Sequence, residues 1–168
     1  MTLTSFLAYG LALAIAAAIP GPGVTAIVAR ALGTGFTRTL PMLTGLVIGD
    51  LTYLLLAVAG RAMGAQLFAG GVVGAEIAGG GYLAWLAWKF WNSGISIRGV
   101  QASAGRREGL ASFAAGLALT LGNPKTIVFY LALVPTVVDL QMVDAPAFMA
   151  LSGITVVVLY AVLLPYVA

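Results

Sequence analysis

The chain has 168 residues, of which 61% are hydrophobic and only 8% charged, against about 25% charged in an average soluble protein. A soluble globule of this size cannot hide so much apolar surface, and with a mean hydropathy of +1.07 most of the chain must be solvated by lipid. Cysteine and histidine are absent, which excludes disulfides, thiol redox chemistry, Ser-His or Cys-His nucleophiles and the usual zinc or copper sites; a net charge of +3 from scattered basic residues is no nucleic-acid footprint.

Crossing about 30 Å of hydrocarbon takes roughly 20 apolar residues as a helix. Residues 5–29, 41–60, 71–91, 112–138 and 148–168 meet that length, so the composition predicts an all-α polytopic membrane protein with five spans in one membrane domain, residues 1–168. The apolar runs are continuous, without the alternation of a β-barrel. Met1–Ala18 has the small residues of a cleavage site at Ala16-Ala17-Ala18 but no Lys or Arg ahead of its apolar run, so it reads as a span and not a signal peptide.

The short joints carry most of the charge. Arg30 and Arg38 lie in the first, and Lys89, Arg98, Arg106 and Arg107 in or beside the third; the second has Arg61 alone, and the fourth has Asp139 and Asp144. The positive-inside bias then puts the first and third joints in the cytoplasm and the N-terminus outside, and topology anchoring accounts for Arg106-Arg107. Trp85, Trp88 and Trp91 recur every three residues at headgroup depth, the signature of an interfacial belt.

In the first span Pro20-Gly21-Pro22-Gly23 interrupts the apolar run. Proline removes a backbone donor, and the freed carbonyls at membrane depth need protein or a wet cavity to satisfy them. The fourth span has a break of its own, Gly122-Asn123-Pro124, and the surrounding segments echo one another. Phe6–Leu13 resembles Phe113–Leu119, and Thr25–Val28 resembles Thr126–Val128. On this topology the two spans run in opposite directions, so the repeat is inverted, and matching interruptions in inverted repeats point to a transporter's binding site.

Asp50 sits about 15 Å from either surface of the second span, and Lys125 follows the second break. Each charge there costs at least about 2.5–3.5 kcal/mol, so neither should face lipid, and intramembrane carboxylates frequently mark proton pathways. The alternative for the pair is a structural salt bridge between two helices. Gly45 and Gly49 make a GxxxG step that favours close helix packing. Tyr53, three residues beyond Asp50, is placed to hydrogen-bond it or a substrate, and Glu76 lies near the outer end of the third span where it can reach water.

Taken together these residues resemble the LysE-type amino-acid exporters, the family of lysine exporters with its threonine/homoserine resistance (RhtB) branch. The resemblance runs in order along nearly the whole chain: Pro20-Gly21-Pro22, Arg30, Gly33, Gly35, Gly45, Gly49-Asp50, Gly81-Tyr82-Leu83, Trp88, Asn123-Pro124-Lys125 and Pro135. It implies a multi-pass carrier of the cytoplasmic (inner) membrane that exports amino acids or close derivatives by proton antiport, without a cofactor. Its partners are then the substrate, protons and the bilayer, and a homo-oligomer is compatible with the sequence. The substrate and proton pathway maps onto Asp50, Lys125, Asn123, Pro20, Gly21, Pro22 and Pro124, with Tyr53 beside them. Two features depart from the pattern. Glu76 stands where relatives commonly have a basic residue, and the family usually has six spans in a three-plus-three inverted repeat, so the sixth is absent here. A non-transporting membrane scaffold, or an inactive fragment of such an exporter, is therefore the competing reading. An aspartyl intramembrane protease needs two carboxylates that share a proton, and the deep spans offer only Asp50.

Overall fold

In the computed structural model the described residues are 1–63, 77, 81, 84, 88 and 106–168. They contain helices and turns and no strand. α1 is Leu3–Ala18, α2 Pro22–Thr34, α3 Phe36–Met63 and α4 Arg106–Leu121. α5 is Pro124–Val137, which winds as a π-helix over Phe129–Leu133, and α6 is Ala145–Leu163. Most of the third predicted span, with Glu76, Trp85, Lys89 and Trp91, lies outside the described residues, as does Arg98. Trp88 is helical and exposed.

The spans follow from the apolar runs, with boundaries set by caps. The second span begins at Phe36, so Pro41 lies inside the helix, where it removes the amide that would otherwise donate to the Thr37 carbonyl. α6 starts three residues earlier than the apolar count suggests. Asp144 accepts a hydrogen bond from the Ala147 amide at 2.9 Å and caps it, and Pro146 sits in its first turn, where proline is preorganised. Two helices are each long and apolar enough to cross a membrane, Phe36–Gly60 and Ala145–Tyr166. Two further helix pairs reach that length and hydropathy only together and are bent at a short break. α1 and α2 meet at 58°, and α4 and α5 at 54°. The echo between the first and fourth spans is thus matched by two breaks of nearly the same angle.

Lateral packing separates a protein-facing side from an apolar outer side. On α1 the row Leu3, Leu7, Leu11, Ile15 and Ile19 is exposed, while Tyr9 and Leu13 are buried against α6. A helix apolar on both faces belongs in lipid. α3 and α4 make the closest contact, and glycines are the reason. A Cβ at Gly45 would collide with the Phe113 carbonyl, one at Gly116 with the Met42 carbonyl, and one at Gly49 would lie 2.5 Å from Thr120 Cβ. The GxxxG step of α3 therefore packs on Gly116 and Thr120 of α4, a small-residue seam of the kind that lets membrane helices touch backbone to backbone. Where α2 ends, Gly35 adopts φ 87°, a left-handed turn that glycine takes without steric cost.

The first and third joints meet on one face of the molecule. Arg30 donates from Nε to the Arg38 carbonyl at 3.2 Å and from Nη2 to Glu108 Oε1 at 3.3 Å. Glu108 lies in the first turn of α4, where a carboxylate also favours the helix dipole.

Candidate functional site

Each break frees backbone carbonyls, and the structure gives them partners from other parts of the chain. Pro22 cannot donate to Ala18, whose carbonyl instead accepts the Tyr166 hydroxyl at 2.8 Å. The Ile19 carbonyl accepts the Lys125 ammonium at 2.5 Å. At the second break, the Lys125 amide turns to Asn123 Oδ1 at 3.0 Å, the N-cap of α5. That leaves the Leu121 carbonyl to the Tyr53 hydroxyl at 2.6 Å, and the Thr120 carbonyl takes the Asn123 amide at 3.0 Å. These are the substitutions that allow unwound backbone inside a membrane protein.

Between the breaks is a cavity of about 60 Å³. A single water needs about 10–15 Å³ on this scale, so there is room for about four waters or a small polar headgroup. Its polar lining is Asp50, Thr120, Asn123, Lys125 and Thr126, with Gly21 at the first break and apolar walls such as Leu46, Phe129 and Leu159. Two positive helix ends converge on it, the start of α2 at Gly21–Gly23 and the start of α5 at Asn123–Thr126. Together with the Lys125 ammonium they favour anionic groups there. Asp50 supplies the opposing charge from α3. Among the described residues no group of His, Cys, Asp or Glu could hold a metal ion.

Asp50 and Lys125 face this one cavity without a contact salt bridge. The ammonium donates to the Ile19 carbonyl, across the first break. Gly21 is beside it, since a Cβ at that position would lie 3.7 Å from Lys125 Nζ. Of the residues singled out by sequence, Asp50, Lys125, Asn123 and Gly21 line the cavity. Pro20, Pro22 and Pro124 are exposed and shape the breaks. Tyr53 is buried and caps Leu121 from outside the lining.

A model of the LysE type translocator family matches residues 14–167. The chain belongs to the LysE type translocator family. This makes it a membrane transport protein, and the implied cargo is amino acids or similar molecules. It is also similar to two uncharacterized membrane proteins. One, from Synechocystis, is 30% identical over 152 residues, covering 90% of this chain and 70% of that protein. The other, from Vibrio cholerae serotype O1, is 28% identical over 166 residues, covering 98% of this chain and 79% of that one. No solved structure matches.

Two tyrosines, Tyr9 and Tyr130, escape a reading of the sequence, and they lie with Tyr53 in the core behind the cavity lining. Tyr9, Tyr53 and Tyr130 are all fully buried. Tyr53 and Tyr130 stack at 6.3 Å with rings 15° apart, and Tyr130 packs edge-on against Phe129 at 5.0 Å. Tyr9 shares a 2.6 Å hydrogen bond with Thr155 of α6, and Thr155 in turn donates to the Leu151 carbonyl at 2.8 Å. The one available sequence signal was a hydroxyl deep in an apolar run, a pattern common enough in membrane helices to pass unnoticed.

Proposed function

We propose that the chain is a secondary exporter of amino acids or close derivatives, driven by proton antiport, with Asp50 as the proton-carrying carboxylate. The observation that supports this reading is the convergence of both helix breaks, Asp50 and Lys125 on one cavity. An amino acid carries an ammonium and a carboxylate a few bonds apart, and the cavity offers a partner for each. The ammonium suits Asp50. The carboxylate suits the Lys125 ammonium and the two helix N-termini.

Antiport follows from competition. A proton and a substrate ammonium both seek the Asp50 carboxylate, and one site cannot hold both tightly. Substrate leaving as a proton arrives, and the reverse on the other side, is the exchange an exporter needs. A substrate carboxylate competes in the same way with the Ile19 carbonyl for Lys125. Binding then withdraws the side chain that ties the second break to the first, which couples occupancy to the conformation of the first break. On this reading the N-terminus is outside and residues 71–91 form a further span of the inner membrane.

The test is efflux from cells loaded with a panel of dipeptides that hydrolyse to single amino acids. Cells expressing the chain should lose one amino acid faster than controls, and Asp50→Asn, with membrane insertion verified, should abolish the difference. An inserted Asp50→Asn variant that exports at the unaltered rate would eliminate Asp50 as the coupling group.

A further inference from the structure

Tyr130 is completely buried, and its hydroxyl is one of two buried side-chain polar groups, with that of Ser112, that have no hydrogen-bond partner among the described residues. Native proteins rarely leave such a group unpaired, and an exception calls for an explanation. Ser112 is in the first half of α4, away from the cavity lining. Tyr130 is different. Its hydroxyl lies against the Asp50 carboxyl group and the Tyr9 hydroxyl, yet completes a well-formed bond with neither.

Its placement depends on irregular backbone. The Val134 amide donates to the Phe129 carbonyl, five residues back, so the helix takes an extra residue within Phe129–Leu133. Pro135 follows at once and has no amide for the Leu131 carbonyl. Such π insertions recur at functional sites because they re-aim the neighbouring side chains. Here Phe129 is turned into the cavity wall, and Tyr130 stacks on Tyr53, three residues along α3 from Asp50.

We infer that Tyr130 is a positioning residue for Asp50, its hydroxyl hydrogen-bonding the carboxyl group in one conformation of the carrier and turning to Tyr9 in the other. The inference rests on the reading of Asp50 as the proton carrier. A phenol both donates and accepts, so the same hydroxyl serves the carboxylate and the carboxylic acid. Its neighbours make bonds to other groups. Tyr9 on α1 is engaged with Thr155, Tyr53 on α3 with the Leu121 carbonyl, and Lys125 on α5 with the Ile19 carbonyl.

Infrared difference spectroscopy between acid and alkaline pH tests this on the full chain, reconstituted in phosphatidylethanolamine and phosphatidylglycerol vesicles with no substrate present. The carboxylic-acid C=O band of Asp50 is identified by its loss in Asp50→Asn. In Tyr130→Phe, which keeps the ring stack, that band should move to higher wavenumber as its hydrogen bond is removed, a change that a merely structural role of the ring does not produce. Should Tyr130→Phe not insert, wild-type chain carrying 3-fluorotyrosine, a stronger donor, should move the band to lower wavenumber. A band present in wild type but unmoved by either change overturns the role of Tyr130 and leaves Asp50 as proton carrier intact. A band moved by Tyr9→Phe and not by Tyr130→Phe assigns the role to Tyr9 instead. The absence of any band that Asp50→Asn removes overturns both readings.

Discussion

The glycine seam between α3 and α4 sets the position of Asp50 relative to the breaks, and Gly116→Ala tests it. The new methyl carbon would collide with the Met42 carbonyl, lying 2.9 Å from its carbon and 3.1 Å from the Leu46 nitrogen. Optimal contacts are about 3.5–4.0 Å, and backbone cannot rotate aside, so the helices must part by on the order of 1 Å. Overpacking of this kind costs about 1–3 kcal/mol. The same displacement stretches the buried bond from Thr120 Oγ1 to the Leu46 carbonyl, now 3.1 Å, beyond hydrogen-bonding range, for about 0.6 kcal/mol more. Against this stands the preference of helices for alanine over glycine, up to about 1 kcal/mol. The net expectation is a loss of about 0.6–2.6 kcal/mol. Gly153→Ala in α6 is the control, because a Cβ there meets nothing within 4 Å and only the propensity gain remains. Reversible unfolding of both variants in mixed detergent micelles, followed by helical circular dichroism, supplies the comparison. A Gly116→Ala variant as stable as Gly153→Ala would refute the seam as the determinant of α3–α4 packing.

Other substitutions probe the polar contacts one at a time. Thr155→Val strips the Tyr9 hydroxyl of its 2.6 Å partner in a fully buried place, and should lower unfolding free energy by about 1–3 kcal/mol in the same micelle assay. Tyr166→Phe removes the donor to the Ala18 carbonyl and should speed amide exchange at Gly21 and Gly23, read by hydrogen–deuterium exchange, with little change in α6. Arg30→Ala breaks a partly exposed pair with Glu108, so its cost should stay below about 1 kcal/mol and shrink in high salt. Lys125→Met should lower the apparent affinity for exported amino acid in vesicle uptake assays more than it lowers stability. Equal effects on substrate and on an empty-carrier melting curve would make the lysine a structural tie only.

The large features of this fold are written in residue types whose physics is local. Pro20–Gly23 and Asn123-Pro124 announce breaks because proline lacks a donor wherever it sits, and both breaks appear with similar bends. Asp50 and Lys125 announce a shared interior site because neither charge tolerates lipid, and both line the cavity. What remained hidden depends on partners far apart in the chain. Nothing about Lys125 in isolation says that it reaches back to Ile19, or that the Tyr53 hydroxyl donates to the Leu121 carbonyl. The π turn at Phe129–Leu133 is equally silent, since an inserted residue in an apolar run leaves its hydrophobicity unchanged. Arg30 was visible as a topology anchor, but its pairing with Glu108 was not, because charge counts over a joint contain no geometry.

The two breaks are alike in angle and unlike in how they are held, and the difference bears on how such a carrier can move. The second break is capped largely from within. Asn123 Oδ1 takes the Lys125 amide, and the Asn123 amide returns to Thr120, contacts that move with the break itself. Gly21, the N-cap of the first break, has no side chain to do the same. Its freed carbonyls depend instead on Lys125 from α5 and Tyr166 from the turn after α6, two donors that belong to other elements. Any motion of α1 against α2 must therefore exchange these bonds for others, whereas α4 and α5 can shift as a unit with their cap intact. Of the two donors only Lys125 also lines the cavity. An anion entering there offers the lysine an alternative partner at the moment it loses Ile19, so the cost of releasing the first break falls when the cavity is occupied. On the proposed reading the two breaks are similar hinges, and the missing side chain at Gly21 makes one of them sensitive to ligand.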